Sequence, residues 1–158
     1  GRLQILSAAF MAYSHGLNDG QKFIGAFALS LLIGGVLERF HIPLWVILLC
    51  ASVMGAGTAL GGWRIIRTMG SKITKLQTYQ GFSAETGAAT TITLASQLGI
   101  PLSTTHTIGA SIIGVGASGR ISAVKWGVVR QIVVAWILTF PVCGTIAFVA
   151  TKVILSAT

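Results

Sequence analysis

Ser14-His15-Gly16-Leu17-Asn18-Asp19-Gly20-Gln21-Lys22 sits between two apolar runs, Ile5 to Tyr13 before it and Phe23 to Leu37 after it. It holds Asp19, the only aspartate in 158 residues. A charged side chain at the centre of a membrane helix costs about 2.5–3.5 kcal/mol on insertion scales, so a chain that keeps one there uses it for an ion, a proton or a substrate. A second polar island, Pro101-Leu102-Ser103-Thr104-Thr105-His106, interrupts the apolar character again.

Outside these islands the chain is greasy. Hydrophobic residues make up 53% and charged residues 9%, with a mean hydropathy of +0.82, which leaves too little polar surface to cover a soluble globule. The composition implies an integral membrane protein. Eleven Lys and Arg against three acids give a net charge of +8, but the bases are confined largely to the joints between apolar runs. They read as cytoplasmic loops facing anionic lipid, and no nucleic-acid partner is expected. Cys50 and Cys143 both lie in apolar segments and read as buried thiols, with neither a disulfide nor a metal cage implied. No signal-peptide pattern, low-complexity tract or Pro-rich linker divides the sequence, so residues 1–158 are expected to form one membrane-embedded domain.

A bilayer crossing needs about 20 helical residues. Residues 3–37 exceed that and contain the first island, which predicts a broken helix, two half-helices or a kinked pair near 14–22. Residues 44–63 form a clean span. Residues 64–80, with Arg64, Arg67, Lys72 and Lys75 spaced among Ile65, Ile66, Met69, Ile73 and Leu76, predict a basic amphipathic connector at the interface. Residues 81–98 and 104–118 are helices rich in small residues, and 124–151 is a last long span. The pairs Gly57 with Gly61 and Ala110 with Gly114 read as helix contacts. Charge orients this layout: the connector, Arg120 with Lys125, and Arg2 all fall on one side, the cytoplasm, while the loop at 38–43 balances Glu38 against Arg39 and lies outside. The C-terminus is then outside too.

Pro101 drives Ile100 out of helical geometry, and hydroxyls crowd the start of the next helix. Such a tip suits a solvated cavity better than lipid, which favours a re-entrant hairpin with its tip near 99–105 over two full crossings. A helix starting there presents unpaired N–H groups at the positive end of its dipole, beside Ser103, Thr104 and Thr105. A tetrahedral oxyanion is the natural guest. In the first island His15, Asn18, Asp19 and Lys22 follow i, i+3, i+4, i+7, one face of a helix, while Gly16 and Gly20 permit unwinding. A carboxylate beside an anion site repels the anion unless a cation lies between them or Asp19 itself carries a proton. Either solution couples anion entry to cation entry.

The strings GLNDGQK at 16–22, GFSAE at 81–85 and PLSTTHTIGASIIGVG at 101–116 resemble, in order, the inorganic phosphate transporter (PiT) family. That resemblance implies a secondary transporter moving phosphate in symport with Na⁺ or H⁺ by alternating access. It is built of two inverted repeats, each with an Asn-Asp segment and a Ser-Thr-Thr hairpin tip. By the same likeness Asn18, Ser103, Thr104 and Thr105 carry over as phosphate residues, and Asp19, Asn18 and Glu85 as coupling-ion or proton residues, with Na⁺ at Asp19. His15, Gln21, Lys22 and His106 stand around them. Only one copy of each motif occurs here, which resembles the C-terminal half. The N-terminal half, on the same longer chain or a separate one, or a second copy in a dimer, is then the expected partner in a multi-pass plasma (inner) membrane protein.

Two other classes are weighed beside this one. Gly116-Ala117-Ser118-Gly119 matches the Gly-x-Ser-Gly of intramembrane serine hydrolases, but no histidine follows Ser118, and a flexible helix end beside Arg120 explains it better. No metal, haem or nucleotide motif accompanies it, so no enzyme and no resident cofactor are expected. A structural subunit without a ligand would leave every polar residue explained by helix contacts, including an Asp19–Lys22 ion pair and a helix cap supplied by Ser103, Thr104 and Thr105.

Overall fold

The computed structural model describes the backbone of residues 1–71 and 73–157, and side chains there except at 64–66, 68, 69, 71 and 157. Its regular structure among the described residues is all helical: α1 (Arg2–Ile33), α2 (Leu44–Ser71), α3 (Thr78–Gln97), α4 (Thr104–Gly119), a single 3-10 turn (Ile121–Ala123) and α5 (Trp126–Ala157). Two of these, over Leu44–Trp63 and Trp126–Ser156, are long and apolar enough to cross a membrane. The chain divides into two compact units, Gly1–Val124 and Lys125–Thr158. The second is α5 alone, a 32-residue helix that runs on through Pro141. Cys143, expected to be a buried thiol, is exposed there.

Glycine ends two helices in the same way. At α1, Val36 N–H donates to Leu31 O at 2.9 Å and Gly35 N–H to Leu32 O at 3.1 Å, with Gly35 at φ 72°. At α3, Ile100 N–H donates to Ala95 O at 2.9 Å and Gly99 N–H to Ser96 O at 3.2 Å, with Gly99 at φ 70°. This paired 6→1 and 5→2 closure needs a left-handed residue, which glycine adopts without the Cβ penalty. Leu102 and Ser103 then lead into α4, whose N-cap Ser103 accepts from His106 N–H.

Within the first unit α3 is the central helix. Its inward face, Ala84, Ala88, Ala89, Ile92, Ala95 and Ser96, is buried, and the small side chains let neighbouring backbones approach where lipid gives no hydrophobic drive to associate. The face against α1 carries polar rungs: Ser7 to Glu85, Ser14 to Thr93 and Asn18 to Ser96. These pairs are 78, 79 and 78 residues apart. A constant separation means that α1 and α3 run parallel. It also sets their levels: at an offset of 78, Gln97 at the end of α3 stands beside Asp19, close to the middle of α1.

Three expectations are corrected. The island at 14–22 is not a break, since α1 is one α-helix across it; Gly16 and Gly20 have open space beside them, and the packing of Ser14 and Asn18 against α3 keeps the segment wound. The connector at 64–80 is not one amphipathic helix either. Its first part continues α2 to Ser71, and Ile73 and Thr74 are buried, Thr74 lying where a Cβ on Gly116 of α4 would stand 3.0 Å from its methyl. The side chains of Arg64, Ile65, Ile66 and Met69, and Lys72 altogether, lie outside the described residues. Finally, Gly57, Gly61 and Gly114 meet nothing within 4 Å among the described residues, so close helix contact falls to the alanines of α3, while Gly116 abuts Thr74 and Val124 outside the helices.

Candidate ion and anion site

Because α1 stays helical, His15, Asn18, Asp19 and Lys22 share one face, and that face meets the hairpin tip. Asp19 is the hub. Its Oδ2 accepts from His15 Nε2 at 2.8 Å and from the Thr104 hydroxyl at 3.2 Å. Its Oδ1 accepts from Lys22 Nζ at 2.9 Å and from Asn18 Nδ2 at 3.2 Å. Four donors thus occupy the roughly four acceptor positions a carboxylate offers. The side chain of Asp19 is 21% exposed, against 42% for His15 and 38% for Lys22.

The tip is tied to the same face through the Leu102 carbonyl, which accepts from Asn18 Nδ2 at 2.8 Å and also from Lys22 Nζ. Asn18 is 2% exposed, and its Oδ1 accepts from the Ser96 hydroxyl at 3.4 Å. Beside this knot lies a cleft of about 180 Å³ lined by Asn18, Gln21, Lys22, Ser96, Gly99, Ile100 and Pro101. It offers an anion the Lys22 ammonium and the Gln21 amide, the Asn18 N–H groups being spent on Leu102 and Asp19. The larger cavity, about 370 Å³ between α1 and α2, is lined by Phe23, Phe27, Leu49, Cys50, Val53 and Met54; with no strong donor it suits no ion.

The candidates therefore divide. His15, Asn18, Asp19, Lys22 and Thr104 converge, and Gln21 joins them on the cleft wall. Ser103 caps α4 and is exposed, as is Thr105, and neither lines the cleft; His106 lends its N–H to that cap. Glu85 stands apart, eleven residues before Ser96 and so roughly 16 Å away along α3. There its Oε2 accepts from Gln4 Nε2 at 2.7 Å and from the Ser7 hydroxyl, and Gln4 Oε1 is buried without a hydrogen-bond partner among the described residues. Two participants were not singled out from sequence: the Leu102 carbonyl and Ser96. A backbone oxygen leaves no mark in a sequence. Ser96 could have been found as the hydroxyl three residues before Gly99, at the end of the helix.

The Asp19–Lys22 pair and the Ser103 cap, both expected of a structural subunit, are present. The hydrolase alternative gains nothing: the Ser118 hydroxyl donates to Val115 O in its own helix, and His106 is twelve residues away in α4, about 18 Å by helical rise.

A model of the "Phosphate transporter family" matches residues 1–147. The chain belongs to that family. A protein of Rhizobium meliloti named "Probable low-affinity inorganic phosphate transporter" is 52% identical over 146 residues, 92% of this chain and 44% of that protein. A Bacillus subtilis protein of the same name is 41% identical over 150 residues, 94% of this chain and 45% of its own length. Among solved structures, one titled "The sodium-dependent phosphate transporter" superposes with a TM-score of 0.75 at 35% identity, covering 87% of this chain and 35% of that one. This member of the phosphate transporter family thus spans less than half the length of the relatives it matches. The names of those relatives are names of transporters.

Proposed function

We propose that the chain is the C-terminal half of a multi-pass plasma-membrane carrier that moves inorganic phosphate inward with a coupling cation, Na⁺ or H⁺, by alternating access. The observation that carries this reading is the level of the hairpin tip. It meets α1 beside Asp19, near the centre of a helix about 48 Å long by its rise. When α1 crosses a hydrocarbon layer of about 30 Å, the tip stops near the midplane, so α3 and α4 form a re-entrant hairpin. Irregular backbone at that depth is tolerated only where it is buried in protein or lines a cavity.

In this reading residues 1–158 make one embedded domain, one of two inverted repeats, and the other repeat supplies a matching segment and tip. That repeat lies on the same longer chain or a separate one, or comes from a second copy of this chain. Phosphate is held at the repeat interface by Asn18 and the Ser103–Thr105 end of α4, with Gln21 and Lys22 on the cleft wall. The cation is held at Asp19. Glu85, a helix length away, gates or binds an ion separately. Inward movement of positive charge draws on the membrane potential, worth about 2.3 kcal/mol per charge per 100 mV.

The test is uptake of radiolabelled phosphate into proteoliposomes holding the full transporter, with Na⁺ and pH gradients imposed separately. Asp19→Asn is expected to reduce coupled uptake to background while the protein stays inserted and monodisperse. Wild-type, cation-dependent uptake by that variant ends the reading. Loss of folding in place of coupling returns Asp19 to a structural ion pair.

A further inference from the structure

Asp19 has no vacant acceptor position, and neither does the Leu102 carbonyl, whose two lone pairs go to Asn18 and Lys22. A coupling cation at Asp19 has to displace a donor. Asn18 is buried and bonded on both sides. Thr104 is buried, and its backbone begins α4. His15 frees one oxygen only. Lys22 differs from all three: it is 38% exposed, its stem is long and flexible, and its departure frees two oxygens at once, Asp19 Oδ1 and Leu102 O. A carboxylate oxygen and a backbone carbonyl on one point are the ligands a hard monovalent cation takes.

We propose that the Lys22 ammonium is a tethered occupant of the cation site, and that Na⁺ entering there drives it into the adjoining cleft, where it becomes the positive partner of the phosphate. This rests on the proposed function and adds its coupling device. One side chain then links the two ligands. The cation moves the ammonium toward the cleft that Lys22 already lines, and an anion in the cleft holds it away from the cation site. Linkage makes the effect reciprocal: each ligand raises the affinity for the other by the same factor. Without Na⁺, Lys22 stays on Asp19 and the cleft lacks a free cation, so phosphate enters poorly alone. Without phosphate, Na⁺ competes against an ammonium at very high local concentration. The charge of Lys22 is unchanged throughout; only its partner changes.

The experiment measures binding to the purified full transporter at one fixed pH, titrating Na⁺ with and without inorganic phosphate, and phosphate with and without Na⁺. In wild type each ligand is expected to tighten the other by about fivefold or more, the lower end of ordinary coupling. Lys22→Met removes the competitor and the partner together. Na⁺ alone should bind at least fivefold tighter, phosphate should bind weaker, and the mutual factor should fall toward one. A Lys22 that is only a phosphate ligand leaves binding of Na⁺ alone unchanged, and one that only braces the tip weakens it; either result overturns the proposal. Lys22→Arg tests the same point from the other side, because a guanidinium holds a carboxylate with two bonds and should make Na⁺ alone bind weaker than in wild type. Should Lys22→Met fail to fold, tighter Na⁺ binding by Lys22→Arg sinks the idea. A wild-type transporter whose phosphate uptake follows a pH gradient and ignores Na⁺ also overturns it, while leaving the proposed carrier function standing.

Discussion

Asn18→Leu is expected to release the hairpin tip while leaving the rest of α3 in place. Asn18 Nδ2 donates to Leu102 O at 2.8 Å, a distance of full strength, and to Asp19 Oδ1 at 3.2 Å. Its Oδ1 receives the Ser96 hydroxyl at 3.4 Å, too long to count for much. A neutral hydrogen bond is worth about 0.5–1.5 kcal/mol net, and one to a charged group about 1.5–3. Leucine, similar in volume, leaves no large cavity. Leu102 O keeps Lys22 and the carboxylate keeps three donors, so neither acceptor is orphaned and the loss should fall near the low end of their sum, about 2–3 kcal/mol. At about 1.4 kcal/mol per tenfold, local opening of the tip rises roughly 30- to 100-fold. Native-state hydrogen exchange of the full transporter in nanodiscs reads this directly. Amides of residues 98–107 should exchange faster by that factor, while those near Glu85, about 16 Å off along α3 and tied separately through Gln4 and Ser7, should not change. Unaltered exchange at the tip refutes the claim that Asn18 pins it, and an equal rise along all of α3 shows global loss of packing instead.

Gly99→Ala places a Cβ on a residue at φ 70°, at a cost of about 1–2 kcal/mol, and should lower the unfolding temperature. Gly87→Ala, on a helical residue with nothing within 4 Å, should leave it unchanged or raise it, since alanine is the better helix former by about 1 kcal/mol; equal effects of the two refute the glycine argument. For orientation, a cysteine replacing Lys75 should be labelled only from the cytoplasm and one replacing His41 only from outside, and reversed labelling inverts the topology. Residues 1–158 purified alone should insert in membranes, bind phosphate weakly and transport none, because one segment and one tip leave much of a dehydrated anion without partners. Saturable uptake by the monomeric fragment contradicts the half-site.

Much of the site was legible because helical spacing is a local property. The run His15, Asn18, Asp19, Lys22 lies on one face of any α-helix, and Pro101 followed by Ser103 marks a helix start whatever surrounds it. What failed to read was long-range. Gly16 and Gly20 permit unwinding without requiring it, and the choice is made by Ser14 and Asn18 packing against a helix nearly eighty residues away. The alternation of bases and apolar residues over 64–80 resembles an amphipathic helix, yet Ile73 and Thr74 are buried, Thr74 in the space that Gly116 leaves. The level at which α3 stops beside α1 is encoded in Ser7–Glu85, Ser14–Thr93 and Asn18–Ser96, pairings no single segment reveals. Glu85 shows the limit of motif reading: it stands in a family string, but the register carries it away from Asp19.

The polar rungs between α1 and α3 follow from where the helices work. In lipid there is no hydrophobic gain in bringing two apolar faces together, so helices hold through close backbone approach and through hydrogen bonds averaging about 0.6 kcal/mol each. The Ser7–Glu85 and Ser14–Thr93 rungs amount to about 1 kcal/mol at that average, with the longer Asn18–Ser96 contact adding little, enough to bias one register and little enough to be remade. The tip rung is also the one shared with the ion cluster: Asn18 holds Ser96, the Leu102 carbonyl and Asp19 together. Any change in what Asp19 binds therefore reaches the tip through the buried Asn18 amide, and also through Lys22 on the Leu102 carbonyl and the Thr104 hydroxyl. The Glu85 rung, with two donors on one carboxylate oxygen, has no part in that exchange. In the proposed carrier, a hairpin fastened at one end by the Glu85 carboxylate and at the other by the ion-binding Asp19 would have its moving end where the anion enters.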